Sequence, residues 1–251
     1  MHPHKVVTRD EWIAARKAHL VNEKKLTRLR DQLIVERREL PWVKIDKTYL
    51  FDTPTGKQTL SDLFDGRSQL IVKHFMLGPD WEAGCIGCSF GADHVDGALK
   101  HVEHHDVSFV AVSRAPLARI EAYKKRMGWK FRWVSSHESD FNYDYNVSFT
   151  EQDKAKGKVF YNYEVQDYQS DELPGSSVFY KDEAGDIFHT YSVYARGGEG
   201  GIGAYNMLDM TPKGRNENGR YYNLMDWVKR SDEYETTASP DACCHHEGRQ
   251  P

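Results

Sequence analysis

Two cysteines three apart, in the stretch PDWEAGCIGCSF at positions 79–90, are the residues of this chain best suited to chemistry. Cys85 and Cys88 follow an apolar run and precede a segment that reads as a helix. At a helix start the first sulfur of such a pair meets amides without intrahelical partners and the positive end of the helix dipole. Both favour the thiolate. The second sulfur, one turn inward, can resolve a mixed disulfide. Cys85 is then the attacking thiol and Cys88 the resolving one, with Gly84 and Gly87 allowing close approach of backbone and partner sulfur. Two blander readings share the spacing: a pair of buried structural cysteines, or half of a zinc site. A structural zinc site needs four ligands, and no second CxxC is present.

Other groups compete for attention. Cys243, Cys244, His245 and His246 are adjacent soft donors suited to zinc or copper(I), although neighbours in sequence surround a single ion poorly. They read as a metal-capturing tail, a second dithiol, or an incidental tail. His101 and His105 are one helical turn apart, yet imidazoles in a last turn also complement the helix dipole. Gly198, Gly200 and Gly203 match the spacing of a dinucleotide loop. Pro212 and the Gly and Asn residues after it argue instead for a loop over the active face. Arg196, Arg215 and Arg220 are candidate anion ligands or ordinary surface arginines. The aromatic run from Phe141 to Phe149 is either packing for an insertion or a binding wall near the thiols.

The elements that must position the cysteines are legible from period and punctuation. Thr8 and Glu11 form a capping box, and Trp12, Leu26, Leu29 and Leu33 recur through a charged segment to about Arg38, ahead of Pro41. One long amphipathic helix is expected, its apolar face covering the main domain or a second copy. Two short strands around the turn at 53–56 lead into a short helix at 60–64. The continuous apolar run 68–77 reads as a strand buried on both faces. A helix at about 88–104, a strand at 107–113, a helix from Pro116 to Gly128 and a strand at 131–134 complete a strand–helix alternation. That pattern belongs to a parallel α/β sheet. Residues 139–173 read as an insertion, 176–194 as a hairpin, 219–230 as a last helix, and the segment from Ser231 as a polar tail.

With 251 residues the chain can bury one sizeable core. A formal net charge of −4 gives no reason to expect nucleic acid or an anionic membrane as partner. No apolar run approaches the length of a membrane span, and the start lacks the apolar core of a secretory signal, so a cytoplasmic location is expected. Four cysteines grouped in two pairs suit redox or metal work rather than a disulfide scaffold.

The stretch TGKQTLSDLFDGRSQLIVKHFML resembles the opening of peroxiredoxins and extended thioredoxins. HFMLGPDWEAGCIGCSFGADH, PGSSVFYKDEAGDIFHTYSVYARG and LDMTPKGRNE resemble a bacterial thioredoxin-like family catalogued as domain of unknown function 899. The resemblance covers about residues 10–235. It implies an α/β thioredoxin-like fold, a mixed sheet flanked by helices, with Cys85 and Cys88 at the redox position. Aligning Phe75 with the phenylalanine that precedes the thioredoxin active site puts His74 where thioredoxins bury an aspartate. His74 is then either a proton acceptor for Cys88 or a histidine hydrogen-bonded within the sheet. The usual cis-proline falls on Ser177, whose preceding peptide is expected to be trans because a non-proline cis bond costs about 2.5–4 kcal/mol. Pro79, Trp81 and Ser177 are the residues expected to shape the partner-binding surface. Peroxiredoxins carry Pro-x-x-x-Thr/Ser-x-x-Cys. Here Pro79 lies six residues before Cys85, with no Thr or Ser between.

Three segments are expected: a helical extension at 1–40, a thioredoxin-like domain at 41–230, and a tail at 231–251. The expected activity is thiol–disulfide exchange with protein or small-molecule thiols, without a bound cofactor. A homodimer through the first helix is one of the two expected uses of its apolar face, packing on the main domain being the other. Metal binding or delivery through the CxxC and the CCHH tail is the alternative. Thiol peroxidase activity is the third reading, and a fold that has lost its chemistry the last.

Overall fold

The structure, a computed structural model, describes residues 4–215 and 227–234. The first helix, α1 (Arg9–Arg38), begins where its capping box dictates. The Thr8 hydroxyl accepts from the Glu11 amide at 3.3 Å, and the Glu11 carboxylate accepts from the Thr8 amide at 2.9 Å. No residue of α1 is buried, and Trp12, Leu20, Leu26, Leu29 and Leu33 are exposed. The Arg37 guanidinium lies 4.6 Å from the centroid of the Tyr191 ring, joining the end of the helix to the sheet. Among the described residues no helix is long and apolar enough to cross a membrane.

Eight strands form the main sheet, built on β1 (Val43–Lys44), β2 (Leu50–Thr53), β3 (Gly56–Thr59), β4 (Gln69–His74), β5 (Val107–Ser113) and β6 (Arg132–Ser135). A separate hairpin, β7 (Lys158–Tyr161) and β8 (Glu164–Asp167), stands apart. The strands β9 (Gly175–Lys181) and β10 (Ile187–Tyr194) complete the sheet, in the order β1-β10-β9-β4-β5-β6-β2-β3. β4, β5 and β6 are parallel, with Leu70 opposite Ser108 and Val112 opposite Val134. On its other side β4 pairs antiparallel with β9, setting Leu70 opposite Phe179.

The crossovers are helical. α2 (Ile86–Ala92) and α3 (Leu99–His104) join β4 to β5, and α4 (Leu117–Met127) joins β5 to β6. A parallel core with helical crossovers, continued by an antiparallel hairpin beside the strand that leads into the CxxC, is a thioredoxin-like fold. α4 starts at Pro116 and stops at Gly128, whose φ of 74° is the left-handed conformation that a helix end needs and glycine adopts without strain.

Each face of the sheet carries its own core. Leu70, Val72, Val110, Val112 and Val134 pack with Phe141, Tyr145 and Phe179 on one face. Phe75, Leu77, Ala111 and Trp133 pack with Cys88, Ile120 and Tyr123 on the other. The insertion after β6 supplies much of the first core from α5 (Phe141–Asp144) and the residues that follow; beyond it lies α6 (Glu151–Lys156). Arg114 and Glu172, both largely buried, tie the insertion to the end of β5 with a 2.6 Å ion pair.

Three expected elements differ in detail. The helix expected at 88–104 is broken between α2 and α3. The Asp96 carboxylate accepts from the amides of Lys130 and Phe131 at 2.8 and 2.9 Å, and Asp93 accepts from the Trp129 indole at 2.7 Å. Those bonds pull residues 93–98 towards the loop before β6, out of helical line. After Gly203 a short helix, α7 (Gly203–Leu208), opens where a loop was expected. Of the helix expected at 219–230 only residues 227–230 are described, and these are not helical. Ser231–Glu233 form a 3-10 turn held to α4 by Arg126, which pairs with Asp232 at 2.7 Å and Glu233 at 3.1 Å.

Candidate redox site

β4 leads into the loop that holds the cysteines, and the first helical bonds fix Cys85. Its amide donates to the Met76 carbonyl at 3.0 Å, and its carbonyl accepts from the Ser89 amide and hydroxyl at 2.9 and 2.8 Å. The Ser89 hydroxyl also meets the Tyr123 hydroxyl at 2.9 Å, tying the first turn to α4. Gly84 is packed beneath Phe75 and Tyr123: a Cβ there would lie 2.6 Å from the Phe75 ring and 2.8 Å from that of Tyr123. Only a residue without a side chain fits.

Both cysteines are free thiols, Cys85 half-buried and Cys88 buried at the cap and third position of α2. Cys85 does not close a cap hydrogen bond. Its sulfur is stabilised more loosely, first by the Cys88 thiol, then by the amides of Cys88 and Gly87 and by the charge of Lys73. Together these outweigh burial and bring its pKa down to about 6. Cys88 is pushed the opposite way by its contact with the Cys85 sulfur, by burial and by repulsion from the Cys85 thiolate. One sulfur is thus a thiolate at neutral pH, and its neighbour keeps the proton and donates it.

The two sulfurs open into a pocket of about 540 Å³ walled by Phe75, Val95, Phe109, Ala111, Phe131 and Ile202. The glycine-rich segment after β10, a 3-10 turn at Ala195–Gly201, also lines it, as do Pro174 and Ser176. The expectation of a loop over the active face therefore holds for Arg196, Gly198, Glu199 and Gly201.

His74 is not at this site. Alternation along β4 sends Lys73 to the pocket face and His74 to the other, where it stacks on Tyr145 at 5.7 Å. Its Nε2 meets the Ser177 hydroxyl at 2.8 Å, the first step of a chain that continues through Ser192 at 2.7 Å to His189 Nε2 at 2.7 Å. Burial lowers the His74 pKa to about 3, so the ring is neutral. Of its two expected roles, the one found is the histidine hydrogen-bonded within the sheet. Its Nδ1 has no partner among the described residues.

Ser177 needs the same correction, since Ser176 faces the pocket in its place. No cis peptide occurs among the described residues. Pro79 and Trp81 do not line the pocket either. Their carbonyls both accept from Arg119, at 2.5 and 3.0 Å, and the Trp81 ring packs over Gly78, so they brace the loop from behind. The aromatic run at 141–149 belongs to the core on the sheet face away from the thiols.

Two residues escaped the sequence reading. Lys73 was visible in principle, because it shares the period-two face of Phe75 and Leu77. Arg230 was not: it reaches across the whole chain to donate to the Gly84 carbonyl from Nε at 3.2 Å and Nη2 at 2.8 Å. Arg196 and Arg215 are engaged with Glu199 at 2.8 and 3.0 Å. Arg220 and the group Cys243, Cys244, His245 and His246 lie outside the described residues. Among the described residues no cluster of three or more His, Cys, Asp or Glu side chains could hold a metal ion.

The model of one protein family, described as "Bacterial protein of unknown function (DUF899)", matches residues 1–234. Comparison with curated proteins returns no match. Among solved structures, the chain is similar to Xanthomonas campestris peroxiredoxin Q at 10% identity and a TM-score of 0.44, covering 67% of this chain and 94% of that one. It is similar to the peroxidoxin BcpB of Mycobacterium tuberculosis at 11% identity and a TM-score of 0.39, covering 67% and 97%. Plasmodium yoelii Prx1a is similar at 16% identity and a TM-score of 0.40, covering 68% and 87%. These likenesses are too distant to carry a function.

Proposed function

The chain belongs to that bacterial family of unknown function, and from this premise we propose that it is a thiol–disulfide oxidoreductase acting through Cys85 and Cys88. The observation that carries the reading is the opposed tuning of two adjacent thiols at a pocket: Cys85 drawn down to about 6, Cys88 held protonated. A nucleophile and a resolving thiol need this division of labour.

The cycle follows from it. The Cys85 thiolate attacks one sulfur of a substrate disulfide, a Cys85–substrate bond forms, and the other substrate half leaves as a thiolate. That thiolate takes up a proton. Cys88 then loses its own proton and attacks the Cys85 sulfur, which closes the Cys85–Cys88 disulfide and expels the second half as a thiol. Two electrons pass from the protein dithiol to the substrate. An external thiol or dithiol returns them, so the cycle needs no bound cofactor.

Reduced protein mixed with a model disulfide should form the internal disulfide and release two thiols per pair. Cys85→Ser should abolish the reaction, and Cys88→Ser should stop at a stable mixed disulfide on Cys85. A Cys85→Ser variant that reduces the disulfide at the wild-type rate would end this reading. A thiol peroxidase is the second reading, favoured by the same thiolate facing a half-closed pocket. Consumption of hydrogen peroxide faster than of any disulfide, with sulfenic acid on Cys85, would select it.

A further inference from the structure

The pocket holds a cation that has no carboxylate partner among the described residues. Lys73 projects from β4 into a space walled mainly by hydrocarbon and aromatic rings. The other charged residues of that wall, Arg196 and Glu199, pair with each other at 2.8 Å, and Glu199 also pairs with Arg215 at 3.0 Å. No carboxylate among the described residues pairs with Lys73. A Cβ on Gly198 would come within 4.0 Å of Lys73 Nζ, so the glycine-rich turn passes directly over the ammonium. An ammonium against apolar walls is costly without a counter-charge. In the reduced protein the Cys85 thiolate supplies one, since the charge of Lys73 acts on both sulfurs. When Cys85 enters a disulfide that negative charge is gone, and the cation is left to whatever occupies the pocket.

We propose that this pocket binds a small molecule with an apolar body and a single carboxylate on each half, the carboxylate resting on Lys73 Nζ. The oxidant of the pair is then a low-molecular-weight disulfide of such an acid rather than a protein disulfide. This deepens, and rests on, the dithiol reading above. The volume of about 540 Å³ falls within the usual span for small-molecule sites. One lysine beside hydrocarbon matches one negative charge; a more highly charged anion would bring uncompensated charge into the pocket. In the reaction Cys85 attacks one sulfur of the disulfide, the other half leaves as a thiolate, and Lys73 offsets the charge moving off Cys85. Cys88 then displaces the bound half and closes the internal disulfide, as in the cycle above.

The test uses the full chain carrying Cys243→Ser and Cys244→Ser, so that only the pair reports. Its oxidation is timed with the anionic disulfide 5,5′-dithiobis(2-nitrobenzoate) and with neutral 2,2′-dithiodipyridine, above the Cys85 midpoint and normalised to a free thiol. The anionic-to-neutral rate ratio cancels any change in Cys85 nucleophilicity. A charge-assisted contact predicts a ratio about tenfold above the free-thiol reference, lost in Lys73→Met and kept in Lys73→Arg. A ratio in Lys73→Met equal to wild type, with both disulfides reacting, overturns the pocket assignment and leaves the dithiol reading intact. If neither disulfide oxidises the pair, the dithiol reading falls first. Binding of 2-naphthoate to the Cys85→Ser variant then judges the pocket alone: about tenfold weaker binding on adding Lys73→Met supports the site, and no difference overturns it.

Discussion

Replacing Cys88 by alanine tests the electrostatic core of the site. The Cys88 thiol is the largest contributor holding the Cys85 pKa near 6, ahead of the first-turn amides and Lys73. At pH 7 a group titrating near 6 is about nine-tenths ionised, whereas an ordinary thiol near 8.5 is about 3% ionised. A hydrogen bond to a charged group contributes about 1.5–3 kcal/mol, equivalent to about one to two pKa units. Cys88→Ala should therefore raise the Cys85 midpoint to about 7–8, and its thiolate fraction at pH 7 should fall to between about a half and a tenth. The assay is the rate of iodoacetamide alkylation against pH, read on the Cys85 peptide by mass spectrometry so that other thiols do not contribute. Two results would refute the reasoning: a wild-type midpoint at the ordinary thiol value, or a midpoint in Cys88→Ala that does not move.

Three other outcomes follow from the same geometry. His74 binds its proton more weakly folded, near 3, than unfolded, near 6.5, so its contribution is complete above 6.5 and is lost as pH falls towards 3. From pH 7 to 5 this costs about 2 kcal/mol, and urea midpoints should show His74→Gln losing less stability than wild type over that interval. Gly84→Ala should destabilise the fold by about 1–3 kcal/mol in the same measurement, because the new methyl meets two packed rings. Arg230→Ala should slow closure of the Cys85–Cys88 disulfide severalfold by freeing the Gly84 carbonyl, with Arg230→Lys recovering part of the rate. An unchanged closure rate would show that the clasp only joins the chain end to the body.

Local sequence determined what local physics controls. Thr8 and Glu11 start α1, Pro116 and Gly128 bound α4, apolar runs become β4 and β5, and the CxxC lands at the start of α2. The caps and helix ends depend on hydrogen bonds within a few residues, and the apolar runs mark the strands although their pairing is long-range. The period of two groups residues by face, but what the sequence could not supply was which face meets the thiols and which distant segment covers it. His74 and Lys73 are neighbours in β4, yet the pleat sends one into a dry core and the other into the pocket. Resemblance to a family selects a position, whereas the period of two selects a side, and an offset of a single residue exchanges core for site. The break between α2 and α3, the arginine clasp on Gly84 and the glycine-rich wall over the sulfurs all join residues more than thirty positions apart. Such contacts exist only once the sheet has brought those segments together, and so the tertiary structure alone decided which side chains surround the two thiols.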